Sequence, residues 1–293
     1  MNREEKMLTE IIDDCKKKIE DADIVLIGFG KEFNVSRAEI LKEMDMYNKL
    51  DSKLEESPLE DLEKQWIEYT LMHECLKTDM GSKAENRLAI YNKVADYLAK
   101  HKKENYFVVT TCNDDIITRS KLDADRMVAP CGTLKYMKCD GGCFKHVYET
   151  EEVYDNIYSI IKKYVEDTED INWEEMWTEL KDAMPQCPMC KKVMSVNMVK
   201  SNNYSEEGYR SAWDSYMSWL QRTLNKKLVM LELGEGFDTP TVIRWPFEKV
   251  AAINNKATLI RVNKNFWQIS EDIEAKAISV KMSGIEFLEN MEV

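Results

Sequence analysis

The hydrophobic positions of the chain follow two patterns that alternate along its length. Short continuous apolar runs are typical of parallel strands, which are buried on both faces. Longer stretches with apolar residues every three or four positions predict helices. Strands are predicted for IVLIGFG (24–30), YFVVTT (106–111), RMVAPCGT (126–133), KLVMLELGEG (227–236), ATLIRVN (257–263) and a last run near 277–281.

Helical patterns fill the segments between these runs. The first helix extends from about Glu4 to Glu20, and several more lie between residues 37 and 101. Within that region, Ser57 followed by Pro58 resembles a helix start, with Ser57 as the N-cap. Further helices are expected around Trp173 and Trp177, from Tyr209 to Thr223, and at the end of the chain around Ile285, Phe287 and Leu288. Alternating strands and helices predict an α/β fold built on an open parallel sheet.

Glycines or polar residues follow most of the predicted strands. Such sheets bind ligands at the carboxyl ends of their strands, and all of these residues fall at such ends. Glycine lets a phosphate approach the backbone closely, which favours a nucleotide site over unrelated loops. The residues concerned are Gly28, Gly30, Cys112, Asn113, Asp114, Asp115, Cys131, Gly132, Gly234, Gly236 and Asn263.

Four cysteines form two close pairs, Cys139 with Cys143 and Cys187 with Cys190. Two loops that each supply two thiolates can complete a tetrahedral four-sulfur site, so the pattern favours structural Zn²⁺. An iron–sulfur centre or a redox pair remains an alternative, since soft sulfur ligands suit both metals. The histidines His73, His101 and His146 lie on charged or helical stretches and are expected to face solvent.

Composition restricts the partners of the chain. It has 293 residues and a formal net charge of −13, with acidic residues spread along its whole length. Such a surface repels nucleic-acid phosphates and anionic lipids, so neither is an expected partner, although a lysine-rich protein segment would be tolerated. No apolar run approaches the length of a membrane span and no secretory signal is visible, which predicts a cytoplasmic protein.

The order of these motifs resembles the sirtuin (Sir2) family, in which the chain is similar to a divergent, bacterial-type member. The glycine turn of the family corresponds to Gly28-Phe29-Gly30, and its Thr-Gln-Asn-Ile-Asp element to residues 110–114. Its His-Gly pair corresponds to Cys131-Gly132, directly before the four cysteines. Its Gly-Thr-Ser turn corresponds to Gly234-Glu235-Gly236, and its Ile-Asn strand end to Val262-Asn263. The resemblance extends from about residue 20 to the end.

The resemblance implies a Rossmann-like NAD-binding domain with a small inserted zinc domain, built around the four paired cysteines, and a helical insertion. We expect the Rossmann-like domain to comprise residues 1–36, 104–134 and 227–293, the helical insertion 37–103, and the zinc domain 135–226. NAD would lie between the Rossmann-like and zinc domains. The implied activity is cleavage of the nicotinamide–ribose bond, with transfer of ADP-ribose to an acyl-lysine or another protein acceptor.

Site residues are carried over from the family position by position. The expected NAD-binding residues are Gly28, Phe29, Gly30, Thr111, Asp114, Gly234, Glu235, Gly236 and Asn263. The candidate catalytic residues are Asp114, Asn113, Cys112 and Cys131. Cys131 stands where the family has its histidine base, Cys112 stands at its asparagine, and Gly236 replaces the last serine of the Gly-Thr-Ser turn.

These departures leave more than one function open. The first hypothesis is an NAD-dependent transferase, either a protein-lysine deacylase or a protein ADP-ribosyltransferase. The second is an NAD or ADP-ribose sensor or scaffold that has lost catalysis together with the histidine. A third, a zinc-ribbon module that binds nucleic acid, is opposed by the net charge and by the lack of a basic stripe. The sequence does not give the oligomeric state.

Overall fold

The computed structural model describes residues 3–165 and 171–291. The strands are β1 (Ile24–Phe29), β2 (Tyr106–Thr110), β3 (Met127–Val128), β4 (Gly132–Cys139), β5 (Tyr148–Glu149), β6 (Met194–Met198), β7 (Leu228–Leu233), β8 (Thr258–Val262) and β9 (Ala277–Val280). The helices are α1 (Arg3–Asp21), α2 (Arg37–Leu41), α3 (Asp45–Glu56), α4 (Asp61–Thr78), α5 (Gly81–His101), α6 (Glu151–Val165), α7 (Trp173–Ala183), α8 (Arg210–Gln221), α9 (Arg244–Ile253) and α10 (Gly284–Asn290).

One sheet carries the strands that the apolar runs predict. Its strand order is β3-β2-β1-β7-β8-β9, and every neighbouring pair is parallel. Every residue of β1, β2 and β7 is buried, as expected for strands that helices cover on both faces. The predicted α/β fold with a Rossmann-like parallel sheet is therefore confirmed.

A second, smaller sheet has the order β5-β4-β6 with antiparallel pairing, and it carries the first of the paired cysteines at Cys139. The predicted strand over 126–133 is partly wrong. β3 ends at Val128, and a turn closed by the Gly132 amide on the Ala129 carbonyl (3.2 Å) leads into β4. Gly132 has a φ of +97°, which a residue with a side chain rarely adopts, so the chain changes sheets at this glycine.

The helical region between β1 and β2 packs against the part of the chain that contains the cysteines. Helix α4 contacts α2 and α6, and the Trp66 indole donates a hydrogen bond to the Met194 carbonyl at 2.6 Å. The domain boundaries expected from the sequence stay a prediction. Among the residues that the structure describes, none of the helices combines the length and apolar character that crossing a bilayer requires.

Two details of the predicted helices need correction. Ser57 does not start a helix: it follows the end of α3, where its hydroxyl donates to the Leu54 carbonyl at 2.7 Å. Helix α4 begins at Asp61, with Glu60 as its N-cap. In α1, Ile12 is buried and Leu8 packs against the core, whereas the neighbouring Met7 is exposed.

Candidate functional site

The loops at the carboxyl edge of the parallel sheet are connected by backbone hydrogen bonds that continue the strand pairing. The Gly30 amide donates to the Leu233 carbonyl at 2.8 Å, and the Gly234 amide donates to the Val262 carbonyl at 2.9 Å. The Thr111 amide donates to the Phe29 carbonyl at 3.0 Å. Gly30, Thr111 and Gly234, three of the residues that the family resemblance assigns to NAD, therefore lie together at one edge of the sheet.

The glycines of the first turn serve close packing within the protein. A Cβ on Gly30 would lie 2.3 Å from the Cα of Glu235, so the turns after β1 and β7 are in backbone contact. A Cβ on Gly28 would lie 2.6 Å from Ile243, next to α9. Phe29 is fully buried, and its ring meets Phe33 and Tyr91 edge-on at 5.0 Å. Gly28 and Phe29 thus have protein neighbours that account for them, whereas Gly30 borders the edge itself.

Thr111 and Glu235 face each other across this edge. The Thr111 hydroxyl donates to Glu235 Oε2 at 2.7 Å, and both residues are fully buried. Glu235 Oε1 is buried as well, and it has no hydrogen-bond partner among the described residues. Burial raises the pKa of the Glu235 carboxyl to about 7.

Asn263 organises the loop after β8. Its Nδ2 donates to the Glu235 carbonyl at 2.8 Å, while its Oδ1 accepts from the amides of Asn265 and Phe266, both at 2.9 Å. Gly234 has a φ of +63° and permits the tight turn before Glu235. Gly236 has open space around it, since a Cβ there would meet nothing closer than Phe266 at 3.8 Å.

Asp114 lies at the end of the loop after β2 and is 1% exposed. Its Oδ2 accepts from the Val35 amide at 2.6 Å, and its Oδ1 accepts from the Ile116 amide at 3.1 Å. Burial raises its pKa to about 6, so the carboxylate is the main form at neutral pH. Asp114 and Asn113 line a cavity of about 250 Å³ together with Asn34, Arg37 and Tyr69.

Cys112 and Cys131 are buried thiols at the same edge. The Cys112 thiol donates to the Gly30 carbonyl at 3.3 Å and lies 3.8 Å from the Tyr91 hydroxyl. Burial raises the pKa of Cys112 to about 12 and also raises that of Cys131. Both thiols are therefore protonated at neutral pH, and neither is a good base or nucleophile there.

Sequence reasoning missed Lys31, which follows the first glycine turn. Its ammonium donates to Asn113 Oδ1 at 3.2 Å, and its charge lowers the pKa of Cys112, Cys131 and Glu235 against the larger effect of burial. A cation at this edge suits a ligand that carries phosphates. The signal was present in the sequence, since a lysine directly after a glycine turn is a common way to bind phosphate.

A buried cluster of ion pairs stabilises the loops at this edge of the sheet. Arg261 binds Glu232 with two hydrogen bonds, at 2.8 and 2.9 Å, and both side chains are fully buried. Arg244 reaches Glu232 Oε1 at 3.2 Å and the Phe266 carbonyl at 3.1 Å. The cluster thereby connects β7 and β8 to the loop after Asn263, and it holds the polar edge in place.

The four paired cysteines come together as one site. The Sγ atoms of Cys139, Cys143, Cys187 and Cys190 all lie within 4.8 Å of one another, and those of Cys139 and Cys190 are 3.7 Å apart. A tetrahedral zinc with Zn–S bonds of about 2.3 Å separates its sulfurs by roughly 3.8 Å. The donor set and spacing therefore fit Zn²⁺.

One expectation about the histidines is wrong. His73 is only 6% exposed, because it stacks on Tyr154 with ring centroids 4.5 Å apart and pairs with Glu151 at 3.2 Å. Burial lowers its pKa to about 4. His101 and His146 are exposed as expected, and His146 pairs with Glu207 rather than with a cysteine.

Comparisons with known proteins give two curated relatives. A protein ADP-ribosyltransferase of Staphylococcus aureus is 24% identical over 179 residues, which is 60% of this chain and 52% of the relative. A probable bifunctional ADP-ribose hydrolase/ADP-ribosyltransferase of Fusarium oxysporum f. sp. cubense is 26% identical over 163 residues, 54% of this chain and 26% of the relative. The chain thus spans about half of the first relative and about a quarter of the second. No protein-family model matches the chain.

Sirtuins are among the similar solved structures. A mutant Sir2 with a p53 peptide and NAD has a TM-score of 0.48 at 12% identity, with 96% of each chain covered. A second structure, solved to show the structural basis of sirtuin substrate affinity, has a TM-score of 0.46 at 14% identity. The match includes 99% of this chain and 98% of that one. The family that the motifs resemble is thus found among the structural neighbours.

Proposed function

We propose that the chain is a sirtuin-like, NAD-dependent transferase that moves ADP-ribose to a protein acceptor. The observation that carries this proposal is the cavity lined by Asn113 and Asp114 in the loop after β2. The contacts of Glu235 with Thr111 and Asn263 lie at the same edge of the sheet, outside the lining of this cavity. The names of the two curated relatives as ADP-ribosyltransferases support the same reaction.

The residues at the edge suit the parts of NAD. The Asp114 carboxylate, ionised at neutral pH, can accept a hydrogen bond from the nicotinamide carboxamide in the adjoining cavity. Lys31 offers a positive charge for the pyrophosphate. Asn263 orders the loop beside Glu235, because its side chain bonds the Glu235 carbonyl and the amides of Asn265 and Phe266.

Zn²⁺ would be held by Cys139, Cys143, Cys187 and Cys190, and its role would be structural because all four ligands come from the protein. The cysteines anchor the end of β4 and the loop before β6. Since β4 begins at Gly132, the metal site would fix the segment that carries Cys131 against the parallel sheet.

ADP-ribosyl transfer is the better supported of the two transferase reactions. Deacylation by the sirtuin route uses an imidazole base, and this chain has the protonated Cys131 thiol at that position. The acceptor is then a protein side chain, and an acyl-lysine peptide is the second acceptor to test. The acidic surface favours an acceptor protein that presents basic residues around the modified position.

The alternative is a binder of NAD or ADP-ribose that does not turn it over. The protonated thiols at Cys112 and Cys131 favour this alternative, since neither can replace a base at neutral pH. Calorimetry that finds NAD binding without nicotinamide release would support the binder and contradict the transferase.

The deciding experiment uses zinc-loaded protein, NAD labelled in its adenylate part, and two panels of acceptors: whole proteins and acyl-lysine peptides. Mass spectrometry locates the transferred group. We expect ADP-ribose on a protein, and we expect none with Asp114→Ala. If peptides are deacylated but no protein is modified, the activity is deacylation and not ADP-ribosyl transfer. If neither panel gives a product, both transferase reactions are excluded.

A further inference from the structure

A base has to take a proton from the attacking acceptor, and the position of the sirtuin histidine does not supply one. Cys131 is a buried thiol whose pKa is raised by burial. His73 pairs with Glu151 and stacks on Tyr154. His101 and His146 are exposed elsewhere on the chain. The acidic side chains of the edge are the remaining candidates.

Most of these acids already have partners. Asp114 accepts from two backbone amides, one on each oxygen, and Asp115 accepts from the Leu134 amide at 3.3 Å. Glu232 is bound by Arg261 and Arg244, and Glu32 accepts from the Gly284 amide at 2.9 Å. These hydrogen bonds favour the charged form, although burial still raises the pKa of Asp114 and Asp115 to about 6.

Glu235 is different, because among the described residues it has the one carboxylate oxygen that is both buried and unpaired. Oε2 accepts from Thr111, while Oε1 is buried without a partner among the described residues. A buried polar atom without a partner is costly. Five other buried side-chain atoms of the described residues share this condition, but Oε1 is the carboxylate oxygen among them and lies at the candidate site, where a ligand group can complete it.

We propose that Glu235 is the general base of the transfer, with Oε1 receiving the proton of the attacking acceptor hydroxyl. This inference rests on the proposed transferase function. The nicotinamide–ribose bond breaks, and its electron pair goes to the ring nitrogen, which loses its positive charge. The acceptor oxygen bonds to the ribose carbon, and its proton goes to Glu235.

The surroundings of Glu235 agree with this role. Lys31 and Arg244 are the nearby cations, Glu232 and Asp238 are the nearby anions, and Cys131 is close enough for its pKa to be raised by Glu235. The balance of burial against these charges brings the pKa of Glu235 to about 7, close to the value at which a base works best at neutral pH. Thr111 keeps the carboxyl oriented.

The turn after β1 packs against the turn that carries Glu235. The Glu32 amide donates to the Gly234 carbonyl at 3.3 Å, and a Cβ on Gly234 would meet the Glu32 side chain at 2.4 Å. Glu235 is fully buried, so the acceptor reaches Oε1 only when one of the segments around it moves. Catalytic hydrogen bonds often form only in the substrate complex.

The test compares the wild type with Glu235→Gln, which keeps the shape and an acceptor for Thr111, and with Glu235→Asp, which keeps a carboxyl. We measure nicotinamide release across pH, NAD affinity by calorimetry, and folding by circular dichroism. The wild-type rate should rise with pH up to about 7. Glu235→Gln should lower the rate roughly 10²- to 10⁴-fold at unchanged NAD affinity and lose that rise, and Glu235→Asp should recover part of it.

Asp238→Asn is the matched control. Asp238 is exposed and its charge also acts on Glu235, so this variant removes a nearby negative charge but leaves the base in place. We expect its rate to stay within about twofold of the wild type. A folded Glu235→Gln that releases nicotinamide at the wild-type rate would overturn the base while leaving the transferase intact. A wild type that releases none would overturn the transferase, and the base with it.

Discussion

The hydroxyl of Thr111 and the carboxylate of Glu235 meet at 2.7 Å, although 124 positions separate them in the sequence. Thr111 directly follows β2, and Glu235 is the second residue after β7. Between these strands lies β1, whose Gly30 has no side chain and so leaves room for the contact. This hydrogen bond connects the loop after β2 to the loop after β7 at the carboxyl edge of the sheet, across the glycine turn that follows β1.

The burial of Glu235 predicts how stability depends on pH. Its pKa rises from 4.5 to about 7 on folding, so between these values the unfolded chain loses the proton while the folded chain keeps it. The contribution of this group is therefore fully present below pH 4.5 and is lost as the pH rises to about 7. Relative to Glu235→Gln, the wild type should lose on the order of 2–3 kcal/mol of unfolding free energy across this range.

Urea unfolding of both proteins at several pH values measures this difference. Asp114 and Asp115, whose pKa values burial raises to about 6, titrate in both proteins, so their effect cancels in the comparison. A difference that stays constant from pH 4 to pH 8 would mean that Glu235 titrates normally, and that it is not buried as described.

Gly30 should tolerate no side chain. In Gly30→Ala the added methyl would lie 2.3 Å from the Cα of Glu235, where neither backbone can move easily. We expect a loss of about 2 kcal/mol or more in unfolding free energy. Gly236→Ala is the matched control: its nearest neighbour is 3.8 Å away, so its stability should change by about 0.5 kcal/mol at most. Equal effects of the two changes would contradict the contact between the two turns.

Removal of one sulfur ligand should empty the metal site. Cys187→Ser is expected to lower bound zinc from roughly one ion per chain to almost none, and to destabilise the sheet formed by β4, β5 and β6. Elemental analysis and thermal unfolding measure the two effects. Cys75→Ala removes a buried thiol outside the cluster and should keep the zinc. Zinc that persists in Cys187→Ser at wild-type levels would exclude the four-sulfur site.

The buried Arg261 should be needed for folding rather than for chemistry. Arg261→Met removes two hydrogen bonds from Glu232 and leaves that carboxylate with Arg244 alone. Removing one partner of a buried ion pair costs about 3–5 kcal/mol, and the remaining Arg244 should keep the loss near the lower end of this range. Arg210→Met, which breaks an exposed pair with Glu206, should cost about 0.5 kcal/mol at most. Chemical denaturation measures the unfolding free energy of both variants. Similar losses would contradict a stabilising role for the buried Arg261.

The elements that the sequence predicted well are those with a local pattern. The apolar runs at β1, β2, β7, β8 and β9 mark strands of the parallel sheet, and such runs are visible without any knowledge of neighbours. The two cysteine pairs predicted a four-sulfur cluster for the same reason, since the spacing within each pair is itself the signal.

What the sequence did not reveal depends on contacts between distant segments. The apolar run that includes Val128 is split between two sheets by the turn before Gly132, and apolar pattern alone does not show such a change of partner. His73 is buried by Tyr154 and Glu151, which lie in a separate helix much later in the sequence. The free oxygen of Glu235 became apparent only when its single partner, Thr111, was located.

Nicotinamide release from NAD tests the proposed transferase most directly, when zinc-loaded wild type is compared with Asp114→Asn at pH 7.5 in the presence of an acceptor protein. The variant keeps the size of the buried side chain but removes the carboxylate that lines the cavity. We expect steady release by the wild type and a loss of at least about 100-fold in the variant. No release by wild-type protein that binds NAD, or equal release by both proteins, would contradict the proposal.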